Sequence, residues 1–211
     1  SDRIGRPLAV VGLWACLACA GGEPLAPPPP AAASPDWLAR AQTSIAEREY
    51  RASENGEGLQ APNRRHGLRT YFAPDGIHVV DRTAAGSPRL LALSLASVGR
   101  GSERRAVPAG TVHAEDARVE ILRPGLVEWF ANGPDGLEQG FTIAERPSGE
   151  GALVLELRLE DAKAKPRGEE LILETATGRR LAYGELATWD AQGEPLAARL
   201  AAAERRSASS C

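Results

Sequence analysis

The three cysteines are the residues whose position best defines a chemistry. Cys16 and Cys19 close an apolar run near the start of the 211-residue chain, and Cys211 is its last residue. Because no other cysteine is present, neither a disulfide framework nor a cysteine-rich zinc site is expected inside the folded domain. The Cys-x-x-Cys spacing also occurs in redox and metal sites, but here it lacks a second pair of ligands. Lipid modification of a thiol is the chemistry that this position favours.

The segment that carries these cysteines has the layout of a bacterial export signal. Arg3 and Arg6 precede a short apolar run over residues 8–20, as a positive region precedes the apolar region of a signal. The run of about a dozen residues is too short to span a bilayer comfortably. Its end resembles a lipobox, where the signal is cleaved and the cysteine acylated. Cys19 is favoured because Ala-Gly-Gly follows it, Cys16 is the competing site, and plain secretion is the alternative.

Two carboxylates and one loop have residue types suited to catalysis or to metal binding. Glu128 and Glu138 are predicted to face each other across a hairpin, and paired carboxylates serve glycoside hydrolases. Asn132, Asp135 and Glu138 offer oxygen ligands to Ca²⁺. Their spacing is not that of an EF-hand, and Asn-Gly and Asp-Gly pairs are already explained as turn formers. We therefore expect these residues to lie at a solvated surface.

The histidines and the common catalytic motifs add no further site. His66, His78 and His113 lie in separate segments without metal-ligand spacing. The sequence contains no Gly-x-Ser-x-Gly elbow, no Gly-rich phosphate loop before a helix and no His-Glu-x-x-His motif. No catalytic residue, cofactor or metal is therefore predicted, and the chain is not expected to be an enzyme.

Trp129 and Trp189 are the candidate ligand contacts. Trp129 and Phe130 are adjacent, so their side chains point to opposite faces of a strand. One ring can lie in the core while the other lies outside, where an aromatic surface can stack on a sugar. The simpler interpretation, in which both faces are covered, is favoured. A carbohydrate-binding module is therefore the alternative function.

The composition limits the class of protein. An apolar content of 43% is sufficient for a core, and 22 glycines and 16 prolines are typical of a turn-rich, all-β chain. The net charge is −3 and shows no basic stripe, so nucleic acid is not an expected partner. The sequence contains no methionine, which predicts that Ser1 is not a natural start and that the chain is a fragment.

The chain divides into five segments. Four consecutive prolines at residues 27–30 favour a stiff, extended spacer. Asp36 is a candidate cap for a helix that begins at Trp37. The predicted organisation is an export signal with a lipobox over residues 1–22, a Pro/Ala-rich linker over 23–35, a short helix and connection over 36–55, a β-sandwich over 56–200 and a polar tail over 201–211.

Short apolar runs separated by turn residues predict the fold of the main segment. Residues 118–143 read as a β-meander, and Pro74-Asp75-Gly76 joins two further β-rich runs. Polar residues 99–111 and 161–168 are predicted loops, and residues 196–200 are a predicted last strand. The fold class is therefore all-β, an antiparallel β-sandwich of roughly ten short strands.

Several phrases resemble the N-terminal region of large bacterial surface proteins that carry FG-GAP repeats, the integrin-α-like β-propeller repeats. The similarity covers about residues 50–200, and Gly136-Leu137-Glu138-Gln139-Gly140-Phe141-Thr142 is its most specific part. The other matching phrases are Gln60-Ala61-Pro62-Asn63-Arg64, Leu68-Arg69-Thr70-Tyr71-Phe72, Val127-Glu128-Trp129-Phe130, and Tyr183-Gly184 through Asp190-Ala191-Gln192-Gly193. The resemblance implies an exported β-rich module, without known catalytic residues, that precedes β-propeller repeats absent from residues 201–211.

The sequence thus predicts a non-enzymatic module of the periplasm, outer membrane or cell surface. Its expected partners are the membrane, through a lipid on Cys19 or Cys16, and downstream β-propeller repeats of an adhesin-like protein. In the alternative function, a carbohydrate-binding module, Trp129 and Trp189 are the candidate contacts, and a glycan or another surface protein is the candidate ligand. A glycoside hydrolase is the least favoured alternative.

Overall fold

The computed structural model describes residues 10–13 and 49–203, and within these ranges the chain is all-β and antiparallel. The predicted fold class is therefore confirmed. The described residues form sixteen strands: β1 Val10–Leu13, β2 Ser53–Glu54, β3 Leu59–Asn63, β4 Leu68–Ala73, β5 Gly76–Asp81, β6 Arg89–Arg100, β7 Glu103–Ala106, β8 Thr111–Glu115, β9 Arg118–Arg123, β10 Leu126–Gly133, β11 Gly136–Ile143, β12 Leu153–Glu160, β13 Ala162–Arg167, β14 Glu170–Thr175, β15 Arg180–Tyr183 and β16 Leu186–Trp189.

These strands form three sheets. The first sheet has the order β16-β1-β11-β10-β9-β8. The second has the order β12-β6-β5-β4-β3-β2, with β7 paired to β6, and the third is β13-β14-β15. Most neighbours within a sheet follow each other in the sequence, because short turns connect antiparallel strands directly.

The core lies between the inner faces of the sheets. Phe72 of β4 and Phe130 of β10 meet there, with their ring centroids 5.5 Å apart. The third sheet adds Leu173 and Leu181 to the same cluster. A second cluster forms around Phe141 of β11. Apolar residues alternate with polar ones along these strands, so one face of each sheet is buried.

The predicted hairpins have the register that their turn residues imply. Pro74 and Asp75 form the turn between β4 and β5, and Ala73 pairs with Gly76. Gly133 pairs with Gly136 across the turn of β10 and β11. A two-residue turn fixes the pairing of every residue that follows, so the turn residues determine which side chains face the core.

Two predicted loops are strands instead. Residues 99–111 contain β7, which pairs with β6, and residues 161–168 contain β13. β13 is an edge strand of the third sheet, where lysines and Pro166 are tolerated because one side of the strand is unpaired. Its Ala162 and Ala164 pack against the core while charged residues point outward. The inward and outward residues of β13 do alternate, but the sequence pattern is weak because the inward residues are alanines.

Other predictions differ from the structure or lie outside it. The predicted last strand at residues 196–200 is wrong, since only Pro195 makes an isolated bridge, to Trp189. Most of the predicted signal, the whole linker over 23–35, the predicted helix as far as residue 48 and residues 204–211 of the tail lie outside the described residues. Residues 10–13 of the predicted signal segment are described, and they form β1 of the first sheet.

Candidate functional site

A hydrogen-bonded network of polar side chains crosses the core. Arg123 at the end of β9 donates to Glu128 of β10, with Nη2 2.8 Å from Oε2. Gln139 of β11 donates from Nε2 to the second carboxylate oxygen at 2.8 Å. Tyr183 of β15 donates from its hydroxyl to Gln139 Oε1 at 2.9 Å. The four side chains therefore connect the first sheet to the third through the protein interior.

The network is closed to solvent. Arg123 and Glu128 have side chains that are 1% and 0% exposed, and Nη1 and Nη2 of Arg123 also donate to the backbone carbonyls of Pro74, Asp75 and Pro108. Burial raises the pKa of Glu128, against the opposing effects of the Arg123 guanidinium and of Gln139. Burial and the nearby Glu128 carboxylate raise the pKa of Tyr183 as well. A group with a shifted pKa is a catalytic candidate only where substrate can reach it, so the network fixes packing.

The predicted carboxylate pair is wrong. Glu128 is opposite Phe141 in the β10–β11 ladder, and Glu138 is opposite Ala131. Because side chains alternate along a strand, Glu128 points into the core and Glu138 points outward. The two carboxylates therefore lie on different faces of the same hairpin and cannot flank one glycosidic bond.

The oxygen ligands that the sequence offers to Ca²⁺ are separated for the same reason. Asn132 lies on the inner face, where its Nδ2 donates to the carbonyls of Tyr50 and Pro62 and its Oδ1 accepts from Asn63. Glu138 lies on the outer face, so it cannot share an ion with Asn132. Across residues 10–13 and 49–203, no three His, Cys, Asp or Glu side chains form a group that could hold a metal.

Trp129 lies on the outer face of the first sheet but is only 9% exposed. One surface of its ring is covered by Arg118, whose guanidinium carbon lies 4.5 Å from the ring centroid. The indole also extends across Gly140 of the neighbouring strand, where a Cβ atom would lie 2.0 Å from its Cζ2. A sugar could stack on Trp129 only after Arg118 moved away.

Trp189, the other candidate ligand contact, lies apart from Trp129. Trp189 is in β16, partly buried, beside Pro195. It is separated from Trp129 by two strands of the first sheet, so the structure does not join the two candidate ligand contacts in one site. Cys16 and Cys19 lie outside the described residues.

A recess on the second sheet brings together residues that the sequence did not single out as a site. Tyr71 and His78 are cross-strand partners in β4 and β5, and their rings stack 4.8 Å apart at 13°. The Tyr71 hydroxyl donates to Glu57 Oε2 at 2.5 Å and accepts from Asn55 Nδ2 at 3.1 Å. A recess of about 220 Å³ is lined by Glu57, Tyr71, His78, Val80, Gly86 and Ser87.

The recess has the polar groups that a small hydroxylated ligand requires. Its rim carries the Glu57 carboxylate, the His78 imidazole and the Ser87 hydroxyl, which can accept or donate hydrogen bonds. Burial, followed by the charge of Arg89, lowers the pKa of His78 below its ordinary value of 6.5, so the imidazole is neutral at pH 7. The signal for this site was present in the sequence, since counting back from the Pro74-Asp75 turn pairs Tyr71 with His78.

A larger recess of about 380 Å³ lies between the β6–β7 hairpin and residues 145–148. Arg104, Arg105 and Arg146 line it together with Glu103 and Glu145. Because charges of both signs line it, the recess does not point to one class of ligand. This recess is therefore the less informative of the two.

Comparisons with known proteins find no matching family model, no matching curated protein and no matching solved structure. The resemblance to FG-GAP surface proteins therefore stays a prediction. None of the helical residues in the described ranges belongs to a helix long and apolar enough to cross a membrane.

Proposed function

We propose that this chain is an exported, non-enzymatic β-sandwich module held at a bacterial membrane by a lipid on Cys19. The observation that carries the proposal is the order of segments: a positive and apolar leader, a lipobox-like cysteine, a proline-rich spacer and then a sandwich whose strands resume at Ser53. A spacer directly after an anchor keeps a folded domain away from the bilayer. Cys16 is the competing acylation site.

The buried network supports a non-enzymatic role. Glu128 is the most deeply buried carboxylate of the described residues, and both of its oxygens are engaged by Arg123 and Gln139. A general acid or nucleophile must contact its substrate, and Glu128 has no route to one. Its function is to fix the relative positions of β9, β10 and β11.

The wider assignment rests on the resemblance alone. As the N-terminal module of an adhesin-like protein, the sandwich would be followed by β-propeller repeats that carry the binding activity. Sequencing the DNA beyond the Cys211 codon tests this proposal. A reading frame that continues into FG-GAP repeats supports it, and an immediate stop codon contradicts it.

The lipid anchor is tested by expressing the chain, preceded by a start methionine, in a Gram-negative host. The expected result is a membrane-bound protein whose mature N-terminal peptide begins at an acylated Cys19 by mass spectrometry. Cys19→Ala should prevent acylation and release the protein from the membrane, whereas the matched variant Cys16→Ala should not. Acylation that is lost in Cys16→Ala and kept in Cys19→Ala would move the site to Cys16, and no acylation in the parent chain would refute the anchor.

The Tyr71–His78 recess favours a second candidate function, which is carbohydrate binding. A volume of about 220 Å³ is of the order of one sugar residue, and such sites combine an apolar floor with a few placed polar groups. Titration with glucose, galactose and N-acetylglucosamine at millimolar concentration, followed by NMR, should shift the amide signals of β4 and β5. No shift with any of the three sugars would refute this candidate.

A further inference from the structure

Strands β11 and β16 of the first sheet are not paired with each other. Both pair with β1, antiparallel, over the same four residues. Val10 is opposite Thr142 on one side and Trp189 on the other, and Leu13 is opposite Gln139 and Leu186. A segment of the leader therefore fills a space one strand wide, and the first sheet is continuous only through it.

The wall formed by β11 has the character of an interior strand. Gln139, Phe141 and Ile143 are all buried, at 2%, 2% and 3% exposure, and they belong to the polar network and the second apolar cluster. The backbone N–H and C=O groups on the open side of such a strand need partners. An unpaired edge of this kind is a template for another strand.

The wall formed by β16 has contacts besides those to β1. Thr188 donates from Oγ1 to the carbonyl of Leu196 at 2.6 Å, and the Leu196 N–H donates to the Thr188 carbonyl at 2.8 Å. Trp189 makes an isolated bridge with Pro195. The outer side of β16 is thus paired with its own chain at Thr188 and Trp189, and Leu186 packs against the core.

We propose that the space between β11 and β16 is a strand-acceptor site. In the unprocessed chain its occupant is residues 10–13. Once the leader is removed at Cys19, a step for which the inference rests on the proposed function, the site takes an extended, uncharged, apolar segment of a partner protein. The partner strand lies antiparallel to both walls, as in the addition of a peptide to a sheet.

The register also determines which residue types fit the acceptor site. Gly12 is opposite Gly140 and Ala187, so the three residues that face each other across β11, β1 and β16 at this position are all small. The Trp129 ring lies over Gly140, where an added Cβ atom would be 2.0 Å from its Cζ2, so this face of the sheet is already filled next to the occupant. The acceptor site therefore requires a small residue at this position of the partner strand, with apolar residues on either side.

The test uses the full chain with a cleavage site for a specific protease placed within linker residues 27–33. After cleavage, the leader is displaced by excess of a synthetic peptide of residues 7–15. The expected result is binding of one peptide per chain. Alternate amides within residues 139–142 should exchange at least tenfold faster when the leader is washed away, and should be protected again by the peptide.

Two variant peptides make the test specific. Gly12→Pro removes a backbone N–H and should weaken binding at least tenfold. Gly12→Leu keeps the backbone but places a large side chain opposite Gly140, which the Trp129 ring covers, and it should also bind at least tenfold more weakly. A peptide with Val10→Ile is the matched control, since it changes a flanking apolar position and should bind within twofold of the parent.

Every outcome decides for or against the acceptor site. Unchanged exchange at β11 after loss of the leader, or no binding of the peptide, would overturn it. Unfolding of the whole domain after loss of the leader would overturn it too, because the site must persist when empty. Because the cleavage is made in vitro, a chain that binds the peptide but is not acylated in cells would refute the lipid anchor and leave the acceptor site standing.

Discussion

Arg123 and Glu128 form an ion pair inside the sandwich, with 2.8 Å between Nη2 and Oε2 and almost no exposure of either side chain. Moving two charges out of water costs several kcal/mol for each ion. The pair is tolerated because Gln139 donates to the second oxygen of Glu128 and three backbone carbonyls accept from the Nη groups of Arg123. Removing one partner should therefore cost more than removing both.

The first prediction concerns Glu128→Gln. The amide keeps the shape of the side chain but leaves the Arg123 guanidinium buried without a counter-charge, so the free energy of unfolding should fall by about 3–5 kcal/mol. Urea denaturation measures this change. The double variant Arg123→Met with Glu128→Gln should recover most of the loss.

The control for this prediction is an exposed ion pair on the same strand. Arg118 Nε lies 2.9 Å from Glu120 Oε1, and both side chains are well exposed to solvent. Glu120→Gln should change the free energy of unfolding by about 0–1 kcal/mol. Equal losses in the two Glu→Gln variants would contradict the assignment of Arg123 and Glu128 to a buried network.

The second prediction concerns the contact of Trp129 with Gly140. In Gly140→Ala the new methyl group would lie far inside the contact distance of the indole ring, so the ring must move. We expect a loss of about 1–3 kcal/mol in the free energy of unfolding and a shift in tryptophan emission. Gly133→Ala is the matched control, because that position in β10 has open space around it. Equal effects of the two substitutions would contradict the packing described.

The fold was largely predictable because its determinants are local. Alternating apolar residues and turn dipeptides define β4, β5, β10 and β11, and the register of each hairpin follows from its turn. The strand β13 was missed because its inward residues are alanines, Ala162 and Ala164, whose apolar signal is weak beside the lysines.

The polar core was not predictable from local pattern. Arg123 and Glu128 look like ordinary surface residues of an alternating sheet, and the sequence gives no sign that Tyr183, in another sheet, completes their network. The sequence analysis places Glu128 opposite Glu138, whereas the β10–β11 register places Glu128 opposite Phe141, three residues further along β11. The pairing of Tyr71 with His78 could have been derived from the Pro74-Asp75 turn, although their recess also needs Glu57 from a distant loop.

The third prediction is a pH dependence due to Asp81. Burial alone raises its pKa, but hydrogen bonds from the Thr83 side chain and backbone, together with the Arg179 ion pair at 2.7 Å, outweigh burial and lower the pKa to about 2. An acid whose folded pKa is below its unfolded value of about 3.9 stabilises the fold above that value. The stabilisation, about 2 kcal/mol, is lost as the pH falls from about 4 to 2.

The variant Asp81→Asn isolates this effect. The amide oxygen can still accept hydrogen bonds from Thr83 and Ala84, as the carboxylate does, but it does not titrate. Between pH 4 and pH 2 the free energy of unfolding should therefore fall less steeply in the variant than in the parent chain, as measured by urea denaturation at each pH. Parallel curves would show that Asp81 does not carry the dependence.

The fourth prediction concerns the Tyr71–His78 recess and tests whether it binds a sugar. If a sugar binds there, Ser87→Ala should weaken binding at least fivefold without changing the free energy of unfolding, because Ser87 is exposed and lies on the rim. His113→Ala, at an exposed position of β8, is the matched control and should leave binding unchanged.

The pH dependence of sugar binding gives an independent check of the same recess. The pKa of His78 lies below 6.5 because of burial and then Arg89, so the ring is predominantly neutral from pH 8 down to pH 7. The binding constant measured by NMR titration should be constant over that range and should change only at lower pH, where the imidazole gains a proton. A change in the binding constant centred above pH 7 would show that a group other than His78 controls binding, and it would contradict sugar binding in this recess.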